Sequence, residues 1–313
     1  MKRTRVRVLT HMPVDRLARV RERVPDVELV QVPTEGEPPP EATGEVLLTL
    51  PWGTPNLATV VERGVRWIHA IGTGVDGFPF GALGGRVLTC SRGASAVPIA
   101  EWVLAMMLAF EKRLPETWIT APPPAWNFAE LGGLWGRTLG LLGVGSIGAA
   151  VAERALPFGM KICAVRRTER PAPLAAVEML ASLDELLGRA DHLLIALPAT
   201  GRTRRLVGAD ALARVKPGVH LINIARGSIV DQDALRVALD DGRVARASLD
   251  TVEPEPLPPG HWLFTHPRVR LSAHVSWGMP GAFDRFVDSF AANLARYVAD
   301  EPLEGTVDLE EGY

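Results

Sequence analysis

Of seven histidines (His11, His69, His192, His220, His261, His266 and His274), His274 stands where chemistry has room. It follows the last predicted strand, Val269–Ser272, just before the chain turns toward its final helix. Two other residues hold matching places. Arg226 closes the stretch that contains the predicted strand Val219–Ile224 and is followed by Gly227. Glu255 follows a predicted strand ending at Asp250, in the loop Glu253-Pro254-Glu255-Pro256, where Glu253 is a rival for the same role. All three fall at carboxyl ends of strands in one series, the edge at which doubly wound sheets bind ligands. An imidazolium there can give a proton to a carbonyl oxygen that gains charge as its carbon is reduced. A neighbouring carboxylate orients the ring and favours its protonated form. A guanidinium fork can hold a carboxylate and polarise the carbonyl beside it. The trio suits hydride and proton transfer at C2 of a small 2-keto or 2-hydroxy acid, a reaction that needs a hydride carrier.

Residues 143–148 read Gly143-Val144-Gly145-Ser146-Ile147-Gly148. The run follows an apolar strand (Leu139, Leu141, Leu142) and opens an alanine-rich helix, the context in which a GxGxxG pattern signals a dinucleotide. Gly143 permits the tight turn, Gly145 lets a pyrophosphate approach the backbone, and Gly148 lets helix and strand pack closely. Ser146 and Ile147 then begin a helix whose N-terminus faces the phosphates. An acid usually ends the next strand and accepts hydrogen bonds from the ribose of NAD. Here Arg166, Arg167 and Thr168 occupy that place, with no acid within two residues of Arg166. Arginine cannot accept from ribose hydroxyls but can clamp a 2′-phosphate. NADP is therefore the expected cofactor, with NAD the second choice.

Two alternating series of strands and helices must position these groups. The first has strands at Val6–Leu9, Val27–Val32, Glu45–Leu50, Trp67–Ile71 and Val87–Thr89, with helices at Val14–Val24 and Asn56–Arg63. The second has strands at Thr138–Leu142, Ile162–Arg166, His192–Leu197, Val219–Ile224, Ala247–Asp250 and Val269–Ser272. Its helices are predicted at Ser146–Leu156, Ser182–Arg189, Ala209–Arg214 and Asp231–Asp240, the last capped by Asp231 and ended by Gly242. Alternation of this kind means parallel sheets with helices on both faces. Between the series, Ile99–Phe110 is apolar almost all round and reads as a buried helix, followed by a proline-rich stretch that resembles an arm. A final helix, Ala282–Ala299, carries Phe283, Phe286, Val287, Phe290, Leu294 and Tyr297 on one stripe and is expected to return to the first domain.

Composition sets bounds on function. A chain of 313 residues is long enough for two cores, and its net charge of −2 offers no broad basic field for nucleic acid. No run of 18 apolar residues occurs, so no membrane span is expected. Cys90 and Cys163 form no CxxC pair, which argues against a disulfide framework or thiolate metal site and for a cytoplasmic protein. No HExxH is present, and His261 and His266 lack a recognised ligand spacing, so no metal is expected.

Taken together these motifs resemble the D-isomer-specific 2-hydroxyacid dehydrogenase family, of the glyoxylate/hydroxypyruvate reductase type. The resemblance runs through Gly136-Arg137-Thr138-Leu139-Gly140, the glycine fingerprint, Leu197-Pro198 with Thr203, and Asn223-Ile224-Ala225-Arg226-Gly227-Ser228-Ile229-Val230-Asp231. It closes with Leu249-Asp250, Glu255-Pro256-Leu257 and His274. It implies that Arg226 binds substrate, that His274 is the acid/base, and that Glu255 rather than Glu253 is its partner. Leu197, Pro198, Thr203, Ala225 and Asp250 would line the cofactor, with Asp250 near the nicotinamide amide. The loop Gly72-Thr73-Gly74-Val75 would hold the substrate carboxylate through backbone amides. The implied fold is α/β: a flavodoxin-like substrate domain, discontinuous in sequence (1–100 and 282–313), around an inserted Rossmann domain (101–281). Family members are usually homodimers built on the nucleotide domains.

The chain departs from the family pattern at Ala273, where proline is usual, at Ser95, where asparagine is common, and at Val275-Ser276-Trp277, where small residues follow the histidine. Trp277, and Trp52 after the third strand, are candidate walls of the substrate pocket. Two rival readings share this architecture. One is a formate- or phosphite-type dehydrogenase, against whose formate branch Glu255 argues. The other is a co-regulator that senses nicotinamide nucleotides and can keep the same three residues; an intact trio with only about a dozen residues after the predicted last helix favours an enzyme.

Overall fold

The computed structural model describes residues 5–167 and 171–313, and the chain divides into two compact units, Met1–Ser95 with Met279–Tyr313 and Ala96–Gly278. In the first unit β1 (Val6–Thr10), β2 (Val27–Gln31), β3 (Val46–Thr49), β4 (Trp67–Ala70) and β5 (Val87–Cys90) form a five-stranded parallel sheet in the order β2-β1-β3-β4-β5. This is the flavodoxin-like winding. β3 and β4 are buried along their whole length, as parallel strands are when both faces are covered. Side-chain alternation sends Leu47 to a core shared with α2 (Leu57–Val61), and Val46 and Leu48 to a core shared with α1 (Ala18–Arg23) and α8 (Ala282–Ala299). The predicted stripe on α8 lies on this second core, where Val287, Phe290 and Leu294 are fully buried. The predicted helix over 14–24 opens as a 3-10 turn, Val14–Leu17, before α1 begins.

The second unit begins with α3 (Ala96–Glu111) and contains β6 (Thr138–Leu142), α4 (Ser146–Ala155), β7 (Lys161–Val165), β8 (Val177–Met179), α5 (Leu183–Arg189), β9 (His192–Ile195), α6 (Ala209–Arg214), β10 (Val219–Asn223), α7 (Gln232–Asp240), β11 (Val244–Leu249) and β12 (Val269–Leu271). The seven strands pair in parallel in the order β12-β11-β10-β9-β6-β7-β8. The chain winds outward from β6 through β7 to β8, then restarts on the other side of β6 with β9. That reversal makes β6/β9 the switch point at which Rossmann sheets take a dinucleotide. Sequence periodicity anticipates six of these strands. The seventh, β8, adds three residues to the outer edge of β7, too few for alternation to register. α7 is capped as expected: the Asp231 side chain accepts from the backbone N–H groups of Asp233 and Ala234, and Gly242 follows the helix at φ +81°. No helix among the described residues is long and apolar enough to cross a membrane.

Candidate active site

β11 delivers Asp250 to the carboxyl edge of the second sheet, buried to 1% exposure. Its backbone N–H donates to the Asn223 carbonyl and its carbonyl accepts from His274 N–H, each at 2.9 Å. Its carboxylate is committed to the loop after β12. Oδ1 accepts from Ser272 Oγ (2.6 Å) and Val275 N–H (2.9 Å), and Oδ2 accepts from Ser276 N–H (3.0 Å). Asp250 is thus the strut of the His274 loop. The strut has work to do, because His274 stands in the left-handed region at φ +54°, a conformation that costs a non-glycine residue about 1 kcal/mol and persists only when its surroundings fix it.

His274 held in this way presents Nδ1 to Glu255 Oε2 at 2.9 Å. The other carboxylate oxygen, Oε1, accepts from Val252 N–H at 2.9 Å. The two acids left open by sequence reading are thereby separated. Glu255 pairs with the histidine, while the Glu253 carboxylate forms a fork-to-fork pair with Arg204 at 2.9 and 3.1 Å. Arg226 follows β10 in a turn built by Asn223, whose Oδ1 accepts from Ala225 N–H (3.1 Å) and whose Nδ2 donates to the Arg226 carbonyl (3.0 Å). The half-buried guanidinium donates from Nη1 to the Ala225 carbonyl at 2.7 Å. Gly227 is obligatory here, because a Cβ would collide with the backbone of Val252 and Glu253. The Arg226 turn and the Glu255 loop therefore touch backbone to backbone. Sequence reading missed Asn223 as the builder of this turn. It lay inside a quoted motif, but only the fold reveals which groups it bridges.

The glycine run fits a dinucleotide. Gly143 has φ +95°, and a Cβ on it would stand 2.8 Å from the Ala196 carbonyl oxygen and 2.9 Å from Leu197 Cβ. This close approach joins the ends of β6 and β9 at the switch point. A Cβ on Gly148 would meet the Gly143 carbonyl oxygen at 2.9 Å, whereas one on Gly145 would meet nothing within 4 Å. Two glycines therefore serve packing, and the third keeps an open approach to the backbone. α4 starts at Ser146 and Ile147 with no side-chain cap on its first turn, leaving N–H groups suited to an anion. In the loop after β9, Thr203 Oγ1 donates to the Pro198 carbonyl and accepts from Thr200 N–H, each at 2.8 Å, so this hydroxyl shapes the loop that holds Leu197 and Pro198. Arg166 directly follows β7, half-buried, with Nη2 donating to the Pro171 carbonyl at 2.9 Å, and Arg167 is exposed. Thr168 lies outside the described residues.

Trp277 is tethered beside the histidine, its indole N–H donating to the His274 carbonyl at 3.0 Å. In the first unit, Trp52 is exposed. There the loop Gly72–Val75 is pinned by Ser91 N–H on the Gly72 carbonyl (2.8 Å) and by Ser95 Oγ on Thr73 Oγ1 (3.5 Å). Among the described residues, the N–H groups of Thr73, Gly74 and Val75 have no backbone acceptor.

Residues 104–276 match the sequence profile of the D-isomer specific 2-hydroxyacid dehydrogenase NAD binding domain. The chain belongs to that family. It is 30% identical over 260 residues to D-3-phosphoglycerate dehydrogenase of Methanocaldococcus jannaschii, an overlap covering 80% of this chain and 50% of the relative. It is 32% identical over 269 residues to glyoxylate reductase of Thermofilum pendens, covering 82% of this chain and 76% of the relative. The chain spans about half the length of the D-3-phosphoglycerate dehydrogenases it matches. Among solved structures, the D-isomer specific 2-hydroxyacid dehydrogenase from Xanthobacter autotrophicus Py2, in complex with NADPH and MES, is similar with a TM-score of 0.85 and 25% identity, covering 99% of this chain and 100% of that one.

Proposed function

We propose that this member of the family is an NADP-dependent oxidoreductase that interconverts a small 2-keto acid and its D-2-hydroxy acid, of the glyoxylate or hydroxypyruvate reductase type. The observation that carries the reading is the His274 Nδ1–Glu255 Oε2 contact of 2.9 Å on loops at the carboxyl edge of a nucleotide-binding sheet. The bound nicotinamide cofactor supplies or accepts the hydride at C2. With Nδ1–H donating to the Glu255 carboxylate, His274 is left with Nε2 as the atom that gives a proton to the forming alkoxide, or removes one from the hydroxyl in the reverse direction. Glu255 holds the ring's tautomer and orientation, and Val252 N–H holds Glu255. Arg226 takes the substrate carboxylate and polarises its carbonyl. Trp277 walls the position next to His274 and limits the size of the C3 substituent. In the first unit, the N–H groups of Thr73, Gly74 and Val75 suit a carboxylate.

Arg166 and Arg167 support the choice of NADP, since they stand where an NAD enzyme carries an acid. The solved relative from Xanthobacter was crystallised with NADPH. The protein is further read as a homodimer. Trp118, Trp126, Phe128 and Trp135 are all exposed in the segment that follows α3, an apolar display that a second copy would cover.

The test is turnover of glyoxylate, hydroxypyruvate, pyruvate and phenylpyruvate with NADPH and then NADH, with light scattering on the same preparation. Reduction of at least one acid with a lower KM for NADPH, by a dimer, is the expected result. A protein that turns over none of them refutes the oxidoreductase reading. Equal use of the two cofactors refutes the role of the arginines, and a monomer refutes the assembly.

A further inference from the structure

We infer that Gln232 is a positioning residue for the Glu255–His274 pair, acting as an amide clasp between the Arg226 segment and the Glu255 loop; the inference rests on the acid–base reading above. Gln232 is the first residue of α7, and the helix is capped separately by Asp231. Its Nε2 donates to the Glu253 carbonyl at 2.6 Å, and its Oε1 accepts from Glu253 N–H at 3.1 Å. Both bonds go to one residue, so they fix the orientation of that backbone as well as its distance. A side-chain amide offers a donor and an acceptor together, as this task requires.

Restraints converge on the same short stretch. Gly227 packs against the backbone of Val252 and Glu253, and Val252 N–H is the group that holds Glu255 Oε1. Gln232 and Gly227 belong to one continuous segment with Arg226, and that segment is itself anchored by the parallel bridge of Val230 to Val207. The clasp therefore ties the residues proposed to hold substrate to the residues proposed to move its proton. Arg204 also reaches Glu253, but it holds the side-chain carboxylate and so does not fix the Glu253 backbone. Loss of the clasp would leave the Glu255 loop attached but free to shift, and a misplacement of about 1 Å at a reacting group can cost up to about 100-fold in rate.

Gln232→Met removes both hydrogen bonds at similar length, and Gln232→Glu keeps the acceptor for Glu253 N–H while losing the donor at neutral pH. Gln232 and Glu253 line a polar surface cavity of about 220 Å³, so the methionine meets space rather than a packed core. With NADPH and the best 2-keto acid, kcat of Gln232→Met is expected to fall about 10- to 100-fold with KM for NADPH little changed, and Gln232→Glu to fall between it and wild type. Independently of turnover, proton NMR should show a downfield His274 Nδ1–H resonance, identified by its absence in His274→Ala, that broadens or disappears in Gln232→Met. An unchanged resonance in Gln232→Met, or turnover within about twofold of wild type, overturns the inference. If Gln232→Met does not fold, the same two readings on Gln232→Glu decide. If the wild-type protein reduces no 2-keto acid yet the resonance is lost on substitution, the functional reading fails and the clasp stands.

Discussion

Among the described residues the Ala96–Gly278 unit contains three histidine–carboxylate pairs, and two of them, at opposite edges of one sheet, make an instructive contrast. At the carboxyl edge, His274 Nδ1 lies 2.9 Å from Glu255 Oε2, with side chains 41% and 37% exposed. At the amino edge, His192 Nε2 lies 3.1 Å from Glu111 Oε1, with side chains 0% and 4% exposed. The second pair is fully spent. His192 Nδ1 faces His220 Nδ1 at 3.1 Å, His220 Nε2 faces Ser248 Oγ at 2.9 Å, and Phe110 stacks on the His220 ring with centroids 4.6 Å apart. Burial, with smaller contributions from the charges of His192 and Arg246, pushes the His220 imidazole well below its ordinary range. The first pair keeps one ring nitrogen, His274 Nε2, without a hydrogen bond among the described residues. Contact distance thus does not separate the dyad proposed as catalytic from a structural one. Access and an uncommitted nitrogen do.

The largest effect that can break this comparison is on turnover. His274→Ala should lower kcat by about 100-fold or more, because it removes the only proposed proton donor. Folding should change little, since the side chain is partly exposed and alanine bears much the same left-handed strain at φ +54°. Near-normal turnover in the variant would place the acid elsewhere and remove the functional half of the contrast.

The buried pair should answer in the opposite sense. Glu111 ends α3, its carbonyl accepts from Gly132 N–H at 2.9 Å, and Lys112 Nζ donates to the Gly132 carbonyl at 2.7 Å, so the residue closes the base of the segment 112–132. Glu111→Ala strips a buried ring N–H of its acceptor and should destabilise the protein by about 3 kcal/mol in urea denaturation, with kcat of the remaining folded protein within a few-fold of wild type. A variant of unchanged stability, or one as slow as His274→Ala, would erase the distinction between the two edges.

How much of this was legible depends on what local sequence can encode. Arg226, Glu255 and His274 could be placed because apolar runs mark strands, and glycine and proline mark their ends. Glu255 and Glu253, two residues apart with the same flanking prolines, could not be told apart from composition; only the fold sends one to Arg204 and the other to His274. His192 and His220 looked like isolated histidines, yet strand register sets them opposite each other on β9 and β10, a relation between segments that neither segment contains. Asp250 was recognised, but its bracing of the His274 loop was not, since its partners at 272, 275 and 276 follow a later strand. Nothing in the local sequence singles out Gln232, because its clasp on Glu253 exists only where Gly227 lets two backbones meet.

The smallest predicted effect sharpens the same contrast in the other sheet. His69 on β4 is fully buried and its ring is spent like that of His220: Nδ1 lies 2.7 Å from Thr89 Oγ1 and Nε2 lies 3.0 Å from Ser91 Oγ. Ser91 Oγ donates to the Phe286 carbonyl at 3.4 Å and so accepts from Nε2–H, while Thr89 Oγ1 accepts the Trp67 indole N–H at 2.8 Å and is left to donate to Nδ1. The chain of bonds specifies a neutral ring, and burial pushes its pKa down to about 3. In the unfolded chain an imidazole takes a proton below about pH 6.5, so between those limits unfolding takes up a proton and stability falls as the pH falls. From pH 7 to pH 5 the share due to His69 is about 2 kcal/mol. His69→Gln should be less stable than wild type at pH 7 yet lose about 2 kcal/mol less on acidification, measured by urea denaturation at the two pH values. An acid slope unchanged by the substitution would mean that the ring takes up its proton over the same pH range folded and unfolded, and that burial had not set this histidine apart.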